Sequence, residues 1–274
     1  MYILKNIIYK NKGGLITFEG GEASGKTTQI NMLEKKLLDN GYHVLKSREP
    51  GGVEVSEKIR CCLLKPEDDP GFSYAGRINT IYFDVRGDID LVAQSFLLSA
   101  LSNQHLFEKS NPDKKKELGR IPELYLFMSA RRPFYANLIL PHIKKSKKHI
   151  AISDRSGDSS RCYQGFGYNP TDSTFICLID ELNNLATFGT KPDLTLLLDL
   201  APDVGLSRTT TAEFGKKDRI EQKPLEYHLN VRNGYLQTAR EESYRMKIIL
   251  YQSGNPNLMH NQIMKHVTHV FKSN

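Results

Sequence analysis

Residues 20–27 read Gly-Gly-Glu-Ala-Ser-Gly-Lys-Thr, so the chain carries the spacing G-x-x-x-x-G-K-T. The apolar residues 15–18 precede this run, and an amphipathic helical pattern follows it. Loops of this spacing between a strand and a helix bind phosphates, because their glycines let backbone N–H groups turn toward a polyphosphate. A plain glycine-rich turn can show the same bare pattern, but the flanking strand and helix favour the phosphate loop.

We therefore predict a nucleoside triphosphate site on this run. In such loops the lysine brings positive charge to the β- and γ-phosphates, and the next hydroxyl ligates Mg²⁺. The helix N-terminus adds its positive dipole end. The predicted site comprises Gly20, Gly21, Glu22, Ala23, Ser24, Gly25, Lys26, Thr27 and Thr28.

Strand-like and helix-like segments alternate along the chain, which predicts a parallel sheet covered by helices on both faces. We expect a first helix from Thr27 to about Asn40, a longer helix over residues 123–140, and a closing helix near residues 257–266. Residues 266–271 could instead pair as a strand. The five predicted strands cover residues 15–19, 42–46, 150–153, 193–199 and 247–251.

Residues 65–120 interrupt this alternation. Loop signatures rich in Pro, Gly, Asn and Asp occur at residues 66–71 and 111–113. Between them, residues 90–107 are apolar enough for a helix, and residues 78–85 could form a short strand. We interpret this stretch as an insertion into a single domain that spans residues 1–274.

Composition limits the classes of partner. The chain has 274 residues, 39% of them hydrophobic, and a net charge of +7. This charge suits either a cleft for anionic substrates or a nucleic-acid surface. The lysine clusters at residues 114–116 and 144–148 have no interleaved aromatics, so we expect no nucleic-acid partner.

The four cysteines form no C-x-x-C pair, and no histidine cluster has the spacing of a metal site. Free thiols in a reducing compartment are the expectation. No run approaches the about 20 apolar residues that a membrane span needs. We expect a cytoplasmic protein with no membrane partner.

Two polar segments follow predicted strands. Arg48-Glu49-Pro50-Gly51-Gly52 would form a tight loop in which the arginine presents a planar fork to a phosphate, although a plain turn with a solvated arginine fits as well. The strand at residues 150–153 ends in Asp154-Arg155. An aspartate there can hold Mg²⁺ and the arginine can offset phosphate charge, or the two can be a structural ion pair.

Two further segments could serve a nucleotide. Phe127 and Arg131 are four residues apart on the predicted helix, so they share one face and suit the stacking and hydrogen bonding of a base. A core phenylalanine and a surface arginine are the alternative. Residues 207–221 are rich in Thr, Gly and basic side chains, and they could form a lid over the transferring phosphoryl group or an exposed loop.

Taken in order, these segments resemble thymidylate kinases, a family of P-loop nucleoside monophosphate kinases. The resemblance covers most of residues 14–250. The matching segments are Phe18-Glu19-Gly20 with Gly25-Lys26-Thr27-Thr28-Gln29, Arg48-Glu49-Pro50-Gly51-Gly52 with Glu57 and Arg60, Leu126-Phe127 with Arg131, Asp154-Arg155 with Ser159-Ser160 and Tyr163-Gln164-Gly165, and Asp218-Arg219-Ile220-Glu221.

The resemblance implies a three-layer α/β/α fold of the P-loop NTPase type and the conversion of dTMP to dTDP with ATP and Mg²⁺. It also implies a homodimer. For ATP it implies Lys26, Thr27 and Arg219 as ligands, and for the metal Thr27 and Asp154. The implied catalytic residues are Lys26, Asp154, Arg155 and a lid cation, for which Arg208, Lys216 and Lys217 are candidates.

The resemblance also implies a dTMP site. Its members would be Glu22 at the 3′-hydroxyl, Arg48 and Arg155 at the phosphate, Phe127 stacked on thymine, Arg131 at the base carbonyl edge, Ser160 and Tyr163 at the base edge and the deoxyribose, and Gln164. The variable part of the phosphate loop holds no basic residue, as in the bacterial members, in which the lid supplies the catalytic cation.

Two positions depart from the family pattern. Ser156 stands where an aromatic residue or histidine usually follows Asp-Arg, and Val53 stands where threonine or serine usually follows Gly-Gly. A deoxynucleoside kinase is the alternative within enzymes, because such enzymes often carry an acidic-Arg-Ser triplet. A kinase acting on dUMP and a non-enzymatic nucleotide switch are further alternatives, although no Asn-Lys-x-Asp run of the GTPase kind is present.

Overall fold

The computed structural model describes residues 12–64, 73–111, 113, 117–209, 218–252 and 255–272. A five-stranded parallel sheet has the order β2-β3-β1-β4-β5. The strands are β1 (Gly14–Glu19), β2 (His43–Arg48), β3 (His149–Asp154), β4 (Leu194–Asp199) and β5 (Met246–Leu250). The fold is the expected three-layer α/β/α arrangement, and each predicted strand lies within one or two residues of an observed one.

Helices occupy most of the connections between these strands. They are α1 (Lys26–Asp39), α2 (Glu54–Leu64), α3 (Tyr74–Val85), α4 (Leu91–Ser110), α5 (Arg120–Phe134), α6 (Leu140–Ile143), α7 (Gly157–Ser160), α8 (Ser173–Ala186), α9 (Pro202–Arg208), α10 (Leu225–Glu241) and α11 (Pro256–Lys272). None of these helices is both long and apolar enough to cross a lipid bilayer, over the part of the chain that the structure describes.

The sheet has an apolar layer on each face, because successive strand residues point to opposite sides. Ile16 and Phe18 of β1 pack with α1 and α11, whereas Leu15 packs with the segment from Phe134 to Ile143. In α1 the predicted stripe of Ile30, Leu33 and Leu37 is buried. This burial on both faces explains why β1, β3 and β4 are almost continuously apolar.

The parallel register brings the ends of three strands to one edge of the sheet. Asp154 of β3 lies beside Phe18 of β1 and beside Arg48 of β2. The phosphate loop follows β1 directly, so it shares this edge. Open α/β sheets bind ligands at the carboxyl ends of their strands.

Helices α2 to α5 form a separate apolar cluster that includes Ile59, Ile78, Leu97 and Leu126. The predicted helix at residues 90–107 is confirmed as α4, and the Asp90 side chain caps it by accepting from the backbone of Ala93. The loop signature at residues 66–71 lies outside the described residues.

The strand suggested for residues 78–85 is wrong, because these residues belong to α3. The buried residues of α3 include Tyr74, Ile78, Ile81 and Val85, a spacing of three and four that a helix turns to one side. The alternative strand at residues 266–271 is also wrong. Helix α11 continues through Lys272 and buries Ile263 and Val267 against the sheet.

The predicted helix at residues 123–140 begins earlier, at Arg120, and changes character near its end. Pro133 lies inside α5, and residues Tyr135–Ile139 are π-helical. Proline has no N–H to donate, so it removes one hydrogen bond of the regular ladder. The local rearrangement lets Tyr135 and Ile139 pack into the core beside β1 and β3.

A buried ion pair connects the start of β5 to α7. The Arg245 guanidinium donates to both Asp158 carboxylate oxygens, at 2.7 and 2.8 Å, and both side chains are less than 10% exposed. Burial alone would raise the pKa of Asp158, but the hydrogen bonds and charge of Arg245 lower it. The carboxylate therefore depends on this partner.

Replacing Arg245 with methionine should lower the free energy of unfolding by about 3–5 kcal/mol, because Asp158 would remain as an unpaired buried charge. Urea unfolding measures this loss. The matched control is Arg240→Met on the exposed face of α10, which should change stability little. Equal losses for the two variants would contradict the interpretation.

Candidate nucleotide-binding cleft

A cleft of about 730 Å³ opens at the carboxyl ends of β1, β2 and β3. Most of the residues predicted from the sequence line it. These are Glu22, Ala23, Ser24, Gly25, Lys26, Thr27, Thr28, Arg48, Phe127, Asp154, Arg155, Tyr163, Gln164 and Arg208. The volume falls within the range typical of small-molecule and cofactor sites.

The phosphate loop forms one end of the cleft. Gly20 has a φ of +134°, and a Cβ there would lie 2.4 Å from the carbonyl oxygen of Leu198, so the loop requires glycine at this position. The buried Lys26 ammonium donates to the carbonyls of Gly20 and Gly21, at 3.1 and 2.8 Å. Burial lowers the pKa of Lys26, and the charge of Arg155 acts in the same direction. The loop thus holds its cation in place through its own carbonyls.

Arg155, Glu22 and Tyr163 form a second connected group. The Arg155 guanidinium donates to Glu22 Oε1 at 2.8 Å, and the Tyr163 hydroxyl donates to the same oxygen at 3.0 Å. The guanidinium also lies over the Tyr163 ring, 5.0 Å from its centroid. Burial alone would raise the pKa of Glu22, but Arg155 and then Lys26 outweigh it and lower the pKa. Glu22 therefore lines the cleft as an anion.

Asp154 offers an unused oxygen to the cleft. Its Oδ1 atom is buried and has no hydrogen-bond partner among the described residues. Thr27 is exposed on the same cleft wall. Mg²⁺ prefers oxygen ligands and usually binds through one or two protein side chains together with substrate phosphates. The donor set of Asp154 and Thr27 fits such an ion.

Two arginines flank the loop after β2, since Arg48 ends β2 and Arg60 lies in α2. Arg48 is exposed and pairs with Glu57 at 3.2 Å, while Arg60 donates to the carbonyl of Pro50 at 2.8 Å. Gly52 has a φ of +83°, and a Cβ there would lie 2.8 Å from the Phe134 ring. Both arginines line the cleft. Sequence reasoning noted Arg60 in the family motif but did not place it in the site.

The structure separates Phe127 from Arg131. Phe127 is half-buried on the cleft wall, whereas Arg131 is only 1% exposed and is not among the described residues that line the cleft. The Arg131 guanidinium donates to Glu49 at 2.5 Å and to Ser160 at 3.1 Å. Arg131 and Ser160 thus form a layer behind the wall, and their direct contacts to a base remain predictions.

The basic residues of the predicted lid lie in different places. The Arg208 guanidinium reaches the phosphate loop, where it lies 3.4 Å from the carbonyl of Ala23, and it stacks over the Tyr251 ring. Lys216 and Lys217 lie outside the described residues. Arg219 donates to the carbonyl of Leu63 at 3.0 Å and forms an ion pair of 2.6 Å with Glu123.

The assignment of Arg219 to the ATP site stays a prediction, because in this structure the guanidinium binds Leu63 and Glu123 instead. Its guanidinium connects α2 and α5, and Arg219 is not among the described residues that line the cleft. The physical reason is the fully buried Glu123 carboxylate, which needs a cationic partner. No local pattern indicates this pairing, because the two residues lie far apart in the sequence.

Sequence reasoning also missed the role of Glu19, the last residue of β1. Its buried carboxylate accepts from the Ser156 backbone at 2.7 Å, from the Ser159 hydroxyl at 2.6 Å and from the Tyr235 hydroxyl at 2.7 Å. Burial raises the pKa of Glu19 to about 7, and Asp158 acts in the same direction. A charged residue in an otherwise apolar strand was the available signal.

Comparison with known proteins agrees with this geometry. The family model described as thymidylate kinase matches residues 18–77 and 104–263. The chain belongs to the thymidylate kinase family. Residues 78–103, which hold parts of α3 and α4, lie between the two matched segments.

Relatives in this family extend over most of the chain. A thymidylate kinase of Clostridium novyi is 31% identical over 242 residues, which is 87% of this chain and 91% of the relative. One from Carboxydothermus hydrogenoformans is 34% identical, with 86% and 88% coverage. The crystal structure of an Ehrlichia chaffeensis thymidylate kinase is 25% identical and has a TM-score of 0.58, with 94% and 99% coverage. The family and the fold are the ones expected from the sequence.

The titration of Glu19 predicts a pH dependence of stability. Its pKa is about 7 in the folded protein against an ordinary value of 4.5, so folding favours the protonated form. The stability contributed by this preference is complete below pH 4.5 and is lost as the pH rises through about 7. Between about pH 5 and pH 9, the wild type should lose roughly 3 kcal/mol of unfolding free energy relative to Glu19→Gln.

Urea unfolding of both proteins across this pH range measures the difference. The control is Glu54→Gln, because the Glu54 side chain is 86% exposed and should show no such trend. A difference between wild type and E19Q that stays constant with pH would contradict the assignment.

Proposed function

We propose that the protein transfers the γ-phosphoryl group of ATP to dTMP with Mg²⁺, giving dTDP and ADP. The observation that carries the proposal is one continuous cleft. The phosphate loop with Lys26 lines one part of it, and Arg48 and Phe127 line another. Two nucleotides bound there would meet through their phosphates. The thymidylate kinase relatives support dTMP as the acceptor.

On the donor side, the backbone amides of the phosphate loop and the Lys26 ammonium would bind the β- and γ-phosphates. Two loop carbonyls already hold the ammonium, so little reorganisation is needed when ATP binds. Thr27 and Asp154 would hold Mg²⁺, which neutralises charge on the β- and γ-phosphate oxygens when bound.

On the acceptor side, Arg48 and Arg155 would bind the 5′-phosphate of dTMP, and Phe127 would stack on thymine. Glu22 would accept a hydrogen bond from the 3′-hydroxyl, since its carboxylate is ionised and already positioned by Arg155. Tyr163 shares the Glu22 oxygen, so its ring would cover the deoxyribose. Arg60 lines the same part of the cleft and would add positive charge.

The reaction breaks the bond between the γ-phosphorus and the bridging oxygen, and it forms a bond to an oxygen of the acceptor phosphate. This oxygen is largely deprotonated at neutral pH because the second phosphate pKa is about 6. The site therefore needs positioning and charge stabilisation rather than a general base. Arg155 would supply the central cation, with Arg208, Lys216 or Lys217 from the lid.

We also propose a homodimer, a cytoplasmic location, and the roles of insertion for residues 65–120 and lid for residues 207–221. Exposed leucines on α4, namely Leu91, Leu98 and Leu106, support an interface near the insertion. None of the four cysteines, all of which lie in the described part of the chain, forms a disulfide, which suits a reducing compartment.

A panel of nucleosides and nucleoside monophosphates, assayed with ATP and Mg²⁺ by coupled ADP release, tests the function. dTMP should be the best acceptor, and thymidine should be inactive. Faster turnover of thymidine than of dTMP would instead support a deoxynucleoside kinase.

Lys26→Ala should reduce kcat by about 10²–10³-fold, because the ammonium stabilises charge that develops on the transferring group. The matched control is Lys36→Ala on the exposed part of α1, which should retain wild-type turnover. Circular dichroism confirms that both variants are folded. Near-normal activity of K26A would contradict the assignment of residues 20–27 as the phosphate loop.

Arg48→Ala should raise the KM for dTMP by roughly 10–100-fold, since it removes a charge-assisted contact to the acceptor phosphate. The KM for ATP should change little. Arg86→Ala, at an exposed site, serves as the control. Equal effects of R48A on both substrates would move Arg48 out of the acceptor site.

A further inference from the structure

We propose that Glu123 is a positioning residue that sets base specificity by fixing the side-chain amide of Gln164. The proposal rests on the proposed function, because it concerns the base of the acceptor nucleotide. Glu123 lies in the first turn of α5 and is fully buried. One of its carboxylate oxygens accepts from Gln164 Nε2 at 2.6 Å.

The other Glu123 oxygen is occupied as well. It forms the 2.6 Å ion pair with Arg219 and accepts from the Tyr168 hydroxyl at 3.3 Å. A carboxylate paired with a guanidinium accepts hydrogen bonds and donates none. Gln164 must therefore present its NH₂ group to Glu123, and this requirement fixes which end of the amide points away.

The backbone of this segment is held independently. The Arg120 guanidinium donates to the carbonyl of Gln164 at 2.9 Å and to that of Gly165 at 3.4 Å. It also stacks on the Phe175 ring, 3.8 Å from its centroid. With the backbone held, the side-chain amide of Gln164 could still rotate by half a turn. Its hydrogen bond to Glu123 prevents this rotation.

This orientation of Gln164 places a hydrogen-bond acceptor in the cleft wall. Gln164 lines the cleft together with Phe127, which lies one helical turn beyond Glu123 on α5. With its NH₂ group engaged, Gln164 offers its carbonyl oxygen to a base stacked on Phe127. Thymine and uracil carry an N–H at N3, whereas cytosine carries a lone pair there. The pair of Glu123 and Gln164 thus selects pyrimidines with an N3–H.

Glu123→Gln is the decisive variant, because the new amide can hydrogen-bond to both Arg219 and Gln164 in only one orientation. Its carbonyl oxygen would accept from Arg219, and its NH₂ group would face Gln164 and turn that amide around. The NH₂ group of Gln164 would then oppose the N3–H of thymine. The ratio of kcat/KM for dTMP to that for dCMP should fall at least about tenfold.

A double-mutant cycle separates positioning from a general structural effect. Gln164→Ala should lower the ratio of dTMP to dCMP by itself, and E123Q should have no further effect on that ratio in the Q164A background. If E123Q kept its full effect without Gln164, the proposal would be overturned. Should E123Q fail to fold, Q164A keeps the proposal falsifiable, since an unchanged ratio for Q164A contradicts it.

Arg219→Lys is the matched control for the second partner of Glu123. It keeps a cation beside the carboxylate, so the acceptor role of Glu123 and the ratio should be retained. If R219K lowered the ratio of dTMP to dCMP as much as E123Q does, the base specificity would depend on Arg219 instead. Wild-type protein that does not phosphorylate dTMP would refute the proposed function, whereas active wild type with an unchanged E123Q ratio would refute only this inference.

Discussion

The buried carboxylate of Glu19 connects the parts of the protein that the site requires. It stands at the end of β1, immediately before the phosphate loop, and it binds the backbone of Ser156, which follows Arg155. The Tyr235 hydroxyl brings α10 to the same carboxylate. Arg155 has a φ of +71°, a conformation that non-glycine residues rarely adopt and that surrounding contacts must enforce. The hydrogen bonds of Glu19 and Ser159 provide those contacts on the loop after β3.

Three ion pairs in and behind the cleft wall extend this arrangement. Arg155 pairs with Glu22, Arg131 with Glu49 and Arg219 with Glu123, at 2.8, 2.5 and 2.6 Å. Each joins segments that are distant in the sequence. Buried ion pairs contribute little net stability on average, because desolvation offsets their attraction, yet removing one partner is costly. We infer that their value here lies in geometry: they fix arginines and carboxylates around a site whose chemistry depends on positioning.

Local patterns allowed much of this to be predicted from the sequence. The phosphate loop and the strands followed from glycine spacing and apolar runs, since these depend on neighbouring residues. Residues 78–85 were misinterpreted because a short apolar segment is ambiguous between strand and helix. The partners of Arg131 and Arg219 were missed for another reason. A motif shows which arginine is present, but only the folded chain shows which buried carboxylate it must neutralise. Glu19 was missed likewise, because its partners lie more than a hundred residues away.

The proposed function requires that two nucleotides bind end to end in one cleft. A crystal structure with a non-hydrolysable ATP analogue, Mg²⁺ and dTMP tests it most directly. We expect triphosphate density at Lys26, thymine against Phe127, and the dTMP phosphate within hydrogen-bond distance of Arg48. Density for dTMP outside the region between Arg48 and Phe127, with the triphosphate bound at the loop, would contradict it.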